Sequence, residues 1–477
     1  MTRVIFGDYL PDQPAHLNAG LVMADGVVGI ADGYAPIGSF MASRNGTLPA
    51  RCIGAAGYRA AAASYLFAAT ASNIYTYSGG GYASVASGLA GSRAIGVQFC
   101  PYGAFMLATN GVDPIKKFDP LSPAAMTNLG GSPPTARFLG VVRGFVVAGY
   151  AGGSALRVAW SDNGNPAGWT AGGASEAGQY DMPAGGDVTG IVGGEYGLVF
   201  QESRILRMTY TADQTIWQFD EIVPNIGCVA PRSLASWGRM SFFWSDKGFM
   251  ACDGVSAQPI GDEKVDRSFQ SLADRAYFDT MSAVVDPRRA LYIVAVPSAD
   301  PASTLFLYNY AQRKWTTATV TTELLFSGLS LSSSLEELDA LYASIDAADL
   351  TIDSLSLRGG APMLLLFDGA HRLGTFSGPN MAATLVDGRK EFAAGARARI
   401  RSIRPLTDAA TATITVSGSN ALSAAPQDTA YTTRTANGSY RCRENWNLTQ
   451  VKLAIPAGTA WTYAQGYDLE AVAGGRP

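Results

Sequence analysis

The hydrophobic positions of the chain come in short runs, not in long amphipathic stretches. Residues 240–244 and 248–252 are apolar runs joined by Ser245, Asp246 and Lys247, and a turn at Asp253-Gly254 leads to a third run ending at Ile260. Aromatic and aliphatic runs this short, bounded by Asp/Gly turns, predict strands in a hairpin. The pairing recurs along the chain. Residues 65–70 precede 73–77, 105–109 precede 115–118, 144–149 precede 156–160, and 197–201 precede 204–210 and 216–219. After the copy at 240–260, residues 290–296 precede 304–310, and 363–367 precede 372–376. Starts roughly 40–50 residues apart lie in the range of propeller blades. One such unit is a small twisted sheet that cannot bury both faces alone, whereas a ring of them can. The pattern predicts a mainly β protein built on a β-propeller of about seven blades. A pair of β-sandwiches would use the same hairpins and stands as the alternative.

Three segments depart from the repeat. Residues 1–54 form a loop-rich arm without a sustained period, and such an arm draws its stability from another part of the fold. The propeller is expected over 55–321, with a last hairpin at 361–378. Between them, 322–360 reads as an insertion with one helix. Ser334 to Glu337 fits a capping box there, and Leu335, Leu338, Leu341, Tyr342 and Ile345 fall at helical spacing. Residues 379–477 read as a small β-sandwich platform, which the arm is expected to complete. Residues 396–403 alternate, which predicts Arg397, Arg399 and Arg401 on one face of a strand.

Composition agrees with many strands and turns. The 477 residues include 54 Gly, 24 Pro and 21 Tyr, and only 16% are charged. A net charge of -4 gives no electrostatic reason for tight binding to nucleic acid or to an anionic membrane. The cysteines, Cys52, Cys100, Cys228, Cys252 and Cys442, are far apart and form no C-x-x-C, which fits folding in a reducing compartment. The N-terminus reads as no signal peptide, because Asp and Pro stand where an apolar core is needed. No run reaches the length of a membrane span.

Catalytic chemistry is poorly supplied. The two histidines, His16 and His371, are far apart and read as surface residues, so no metal or other cofactor is expected. No phosphate-binding loop or nucleophile elbow is present. Ser161-Asp162-Asn163-Gly164 followed by Trp169 loosely resembles the Asp-box of sialidases, with Asn163 where Asp is needed and Gly164 one place early. Asp162 and Asn163 read as turn formers, and Trp160 and Trp169 as packing between blades. Three Asn-x-Ser/Thr sequons, at Asn45, Asn437 and Asn447, read as turns. A propeller glycosidase or a carbohydrate-binding propeller remains as the alternative function.

A series of stretches resembles another class of protein. VAWSDNGNPAGWTAG, YDMPAGGDVTGIVGGEYGLVFQESRILRMTY, GCVAPRSLASWGRMSFFWSDKGFMACDG, PIGDEKVDRSF, LYNYAQRKWTT, HRLGTFSG and WTYAQGYDLEAVAGGR stand in the order found in tail-nozzle, or head-to-tail stabilisation, proteins of short-tailed bacteriophages. So does LEELDALYASIDAADLTIDSLSLRGGAPMLLLFD. The resemblance runs from about Arg157 onward and includes the N-terminal arm; 55–140 carries little of it. It implies a virion protein of the tail, assembled in the host cytoplasm, and not an enzyme. A propeller joined to a β platform would form a homohexameric ring that extends the DNA channel below the portal and its adaptor, with tail fibres or spikes docked on it. Arg397, Arg399 and Arg401 are then candidates for docking on the adaptor, with a solvated strand face as the plain alternative. No Lys or Arg lies between Lys314 and Arg358, whereas Glu323, Glu336, Glu337, Asp339, Asp346, Asp349 and Asp353 do. These acids are candidates for lining the channel, since carboxylates repel passing phosphates; an acidic outer wall that docks fibres is the alternative.

Overall fold

Seven four-stranded antiparallel units account for the middle of the chain in a computed structural model that describes residues 1–43, 46–60, 63–78, 81–213, 215–299, 301–329 and 362–474. Blade 1 runs from Gly54–Ala60 through Ala63–Ala69 and Asn73–Ser78 to Gly81–Ser87. Blades 2 to 6 follow in the same up-and-down order, starting at Gln98–Tyr102, Ala136–Val142, Val188–Val192, Ala235–Trp237 and Ser282–Asp286. Blade 7 is Leu324–Leu329, Pro362–Phe367 and Leu373–Thr375, and its outer strand is Met41–Ala42 from the N-terminal arm. The first strands of successive blades adjoin around one axis, and Leu324–Leu329 packs on Gly54–Ala60 to close the ring. The fold is a seven-bladed β-propeller with a β-sandwich platform.

The hydrophobic pattern explains which strands were legible. The two middle strands of a blade are covered on both sides by neighbouring blades, so they read as unbroken apolar runs. Phe145–Ala151, Gly248–Cys252 and Leu291–Ala295 are of this kind. Seven buried clusters result, one between each pair of successive blades. The inner strands are different, because they converge on the axis and need small residues. A Cβ on Gly57 would lie 2.3 Å from the backbone nitrogen of Leu329 in blade 7, and one on Gly140 would lie 2.6 Å from Ile191 in blade 4. Backbone approach this close admits only glycine.

The platform is assembled from both ends of the chain. One sheet contains Val27–Ile30, Gly33–Pro36, Ala464–Ala473, Ala398–Thr407 and Tyr440–Trp446, with Thr2–Ile5 added to Ala464–Ala473. The other contains Leu21–Asp25, Ala383–Asp387, Leu448–Ile455, Thr413–Ser419 and Gln427–Tyr431. Between them lie Phe6, Ile400, Ile403 and Leu469 from the first sheet's side and Leu385, Ile414, Val451 and Leu453 from the second. The second sheet is also continuous with blade 6. Leu21–Asp25 pairs in parallel with Lys314–Thr322, and the Gly26 amide donates to the Thr317 carbonyl at 2.9 Å. Ring and platform thus share one nine-stranded sheet.

Several expectations are revised. The insertion cannot begin at 322, because Leu324–Leu329 is the inner strand of blade 7 and pairs with Pro362–Phe367 up to Leu329 opposite Pro362. The helix expected within the insertion lies outside the described residues. A helix that the sequence reading missed, Asp266–Leu272, is one short element with a single buried anchor, Phe269. That ring sits 4.8 Å from both Trp244 and Phe249. The arm is not wholly outside the ring, since Met41–Ala42 completes blade 7. All five cysteines are buried and unpaired.

Candidate interaction surface on the platform

Strand Ala398–Thr407 lies between Tyr440–Trp446 and Ala464–Ala473, so its side chains set the character of the sheet's two faces. Ile400 and Ile403 point into the sandwich with Tyr440, Cys442, Tyr467 and Leu469. The alternate positions, Arg399, Arg401 and Arg404, point outward, as do Arg441 and Arg443 on one neighbour and Asp468 and Glu470 on the other. Thr2–Ile5 adds Arg3 to the same side. The outward face therefore carries six arginines against two carboxylates, on a chain whose overall charge is negative.

The sheet register brings three of these charges into line. Arg3 and Arg404 both stand opposite Asp468, one on each side. Arg3 donates through Nε and Nη2 to the two carboxylate oxygens at 2.8 and 3.1 Å, and Arg404 Nη2 donates at 2.8 Å. The hydrogen bond from Arg3, helped by Arg404, pulls the Asp468 carboxyl down to about 2, against the cost of desolvation. A carboxylate so paired is held ionised and fixes both guanidinium planes. Glu470 is held more loosely, by Ser402 Oγ at 3.0 Å and Arg401 at 3.9 Å. Arg399, Arg441 and Arg443 have no carboxylate partner among the described residues. Chemically this is a set of outward forks suited to carboxylates or phosphates of a partner.

The structure places the predicted residues unevenly. Arg399 and Arg401 are exposed on the sheet, but Arg397 precedes the strand, and its Nε is buried without a partner. The regular alternation expected over 396–403 is also broken. The register slips between Ile400 and Ser402, so Arg401 and Ser402 both face outward at a bulge. Arg3, Arg404, Arg441 and Arg443 were missed. The alternation Tyr440-Arg441-Cys442-Arg443 was the available signal, and nothing in sequence announces that it pairs with Ala398–Thr407 or that Arg3 arrives from the other end of the chain.

Glu336, Glu337, Asp339, Asp346, Asp349 and Asp353 lie outside the described residues. Glu323 is described, and it does not face a channel. It is buried between blades 7 and 1, where it accepts from the Cys52 amide at 3.2 Å and sits 3.0 Å from His371 Nδ1. His371 is therefore not a plain surface histidine. Its φ of 61° in the turn before Leu373–Thr375 aims the ring at Glu323. His16 is exposed in the arm. Asp162 and Asn165 bridge a turn, and the Asp162 carboxylate accepts from the Glu176 amide at 2.8 Å. Among the described residues, no three His, Cys, Asp or Glu side chains gather as metal ligands would, and no helix is long and apolar enough to cross a membrane.

No protein-family model matches the sequence, and no curated protein matches it. Solved structures do match. The WD40 domain of Neurospora crassa Pan2 is 9% identical with a TM-score of 0.40, over 73% of this chain and 96% of that one. BBS1N, from a mercury-soaked crystal of its complex with ARL6DN, is 13% identical with a TM-score of 0.41, over 71% of this chain and 96% of that one. A chain of the mitotic checkpoint complex is 12% identical with a TM-score of 0.37, over 70% of this chain and 97% of that one. The likeness is one of β-propeller fold and concerns fold alone.

Proposed function

We propose that the chain is a structural subunit of a short-tailed phage tail, a nozzle or tail-tube component and not an enzyme. Six copies would form the ring that extends the DNA channel below the portal and adaptor, with tail fibres or spikes attached. The reading is supported by the ordered sequence resemblance from about Arg157 onward. The observation that carries it is the arginine-bearing sheet of a platform that shares backbone hydrogen bonds with blade 6. A dock loaded by internal pressure and DNA passage needs this kind of joint, because force on the platform reaches the ring through a sheet and not through a linker. The exposed guanidinium groups meet an acidic surface of the adaptor, and the acids 336–353 keep passing DNA from adhering.

Two measurements test this. Size-exclusion with light scattering should give a hexamer or a monomer that assembles on the adaptor. Replacing Arg399, Arg401, Arg441 and Arg443 with Ala should weaken adaptor binding at least about tenfold at low salt and flatten its salt dependence. A stable monomer that ignores the adaptor and turns over a glycan would replace this reading with the glycosidase one.

A further inference from the structure

The axis of the propeller encloses a cavity of about 250 Å³ whose walls come from the first strands of blades 2 to 7. Its charged lining residues are Arg137 and Arg232; the lining contains neither Asp nor Glu. Arg232 sits in the turn Pro231–Ser233 that leads from blade 4 to blade 5. The turn is held from behind by Ser233, whose Oγ accepts from the Trp244 amide at 2.8 Å and whose carbonyl accepts from Tyr292 at 2.9 Å. The guanidinium is held from the front by two carbonyls, that of Arg93 in the connection from blade 1 to blade 2 at 2.9 Å and that of Ile53 just before blade 1 at 3.2 Å. Gly96 leaves room for the group, since a Cβ there would lie 3.1 Å from Arg232 Cζ.

Carbonyls orient a guanidinium but do not neutralise it. Burial, with help from the charges of Arg93 and Arg51, lowers the Arg232 pKa to about 10, so the group is still cationic at neutral pH. Arg51 nearby has a buried Nε with no hydrogen-bond partner. Arg137 lies over the Tyr150 ring at 3.9 Å and has no carboxylate partner among the described residues. Glu323, which precedes the lining residue Leu324, does not itself line the cavity and is engaged by His371 and the Cys52 amide. A cavity lined by two arginines and by no acid is an unfilled half of an ion pair.

We propose that this axial cavity is a binding site for a small oxyanion of the phosphate class, held by Arg232 with Arg137 on the same wall system. The inference does not depend on the tail reading, since it uses only the ring. Calorimetric titration of the whole chain with inorganic phosphate, at ionic strength fixed with NaCl, is the test. One site per chain is expected, weakened at least about tenfold in Arg232→Lys, which keeps the charge but loses the fork, and also in Arg137→Gln. Among the described residues Arg137 donates to no carbonyl, so its variant should fold even if Arg232→Lys does not. Lys247→Ala, in the exposed hairpin turn of blade 5, is the control and should bind phosphate as the parent does, and Arg441→Ala/Arg443→Ala removes any separate binding by the platform forks. No phosphate heat, or heat that survives Arg137→Gln and disappears with the platform arginines, would overturn the proposal.

Discussion

The ring and the platform are built by opposite routes. Six of the seven blades are each cut from one continuous stretch, and every blade interface except the closing one, blade 7 on blade 1, joins neighbours in sequence. The platform joins the two ends of the chain, and its Arg3–Asp468 pair spans 465 positions. Closing so long a loop costs only slightly more than closing a short one, because the entropy grows with the logarithm of length. Local repetition is therefore not needed for stability. It is what makes a fold readable, and its absence makes the platform depend on a few strands that arrive from far away.

Those strands sit in the first 43 residues. Thr2–Ile5, Val27–Ile30 and Gly33–Pro36 extend one platform sheet, Leu21–Asp25 ties the other to blade 6, and Met41–Ala42 closes blade 7. Deleting residues 1–43 should therefore damage ring and platform together. The loss should exceed the roughly 5–15 kcal/mol stability of an ordinary domain, leaving an aggregating chain. A deletion variant that stays soluble and melts in one cooperative step near the parent temperature would show that the ring closes without the arm.

The legibility of the sequence follows the same division. The paired middle strands of the blades were readable because both faces are covered, which writes continuous apolar runs. The inner strands were not, since convergence on the axis favours residues such as those of Gly54–Ala60 over strong strand formers. Leu324–Leu329 was assigned to the insertion because its chain partner, Pro362–Phe367, lies beyond 32 intervening residues. On the platform, Arg399 and Arg401 were found from alternation alone. The bulge at Arg401, the retreat of Arg397, and the arrival of Arg3, Arg441 and Arg443 are products of strand pairing, and a single strand's pattern does not contain them.

The junction of the two regions offers a sharper comparison. Trp315 lies on the blade 6 strand that continues into the platform, 4.9 Å from both Phe249 and Tyr308, and its Nε1 donates to the Ile260 carbonyl at 2.7 Å. Trp160 lies inside the ring, between blades 3 and 4, with Nε1 donating to the Glu176 carbonyl at 2.8 Å. Trp315→Ala and Trp160→Ala should each cost about 3–5 kcal/mol. Hydrogen exchange separates them: the first should deprotect blades 5 and 6 and the platform together, the second blades 3 and 4 alone. Equal patterns would mean that the shared sheet does not couple the two regions.

A smaller loss confined to the platform is expected at Lys390. Its Nζ meets Asp387 Oδ2 at 2.5 Å, and Tyr467 donates to the same oxygen at 2.8 Å. Asp387 is only 1% exposed, so Lys390→Ala strands a buried carboxylate and should cost about 3 kcal/mol. Replacing both partners with Met and Leu should recover most of that loss. If the single variant melts like the parent, the pair is solvated and the platform is looser than its packing implies.

The smallest effects come from two aspartates that titrate in opposite senses, one in each region. In the ring, Asp266 begins the helix Asp266–Leu272 and accepts from the Phe249 amide at 3.2 Å. Gly248, at φ 104°, and Gly261 press on its carboxyl, where a Cβ on either would come within 2.0 Å of an oxygen. Burial, with smaller contributions from Asp12 and Asp262, raises its pKa to about 7 despite that hydrogen bond. Its folded pKa lies above the unfolded value near 4, so the fold binds the proton more tightly. The stabilisation is complete below pH 4 and is lost as pH rises through 7. On the platform, Asp468 is lowered to about 2 by Arg3 and Arg404, so its contribution is present above pH 4 and lost as pH falls toward 2. The protein should therefore melt highest near pH 4, where the two contributions together are largest. Asp266→Asn should flatten the decline between pH 5 and 8 and raise the melting temperature at pH 8. Asp468→Asn should lower the melting temperature at pH 5 and remove the acid decline below pH 4, leaving the neutral limb unchanged. A parent protein whose stability rises steadily from pH 5 to 8 would show that Asp266 is ionised in the fold and that the helix start and the Phe249 amide outweigh its burial.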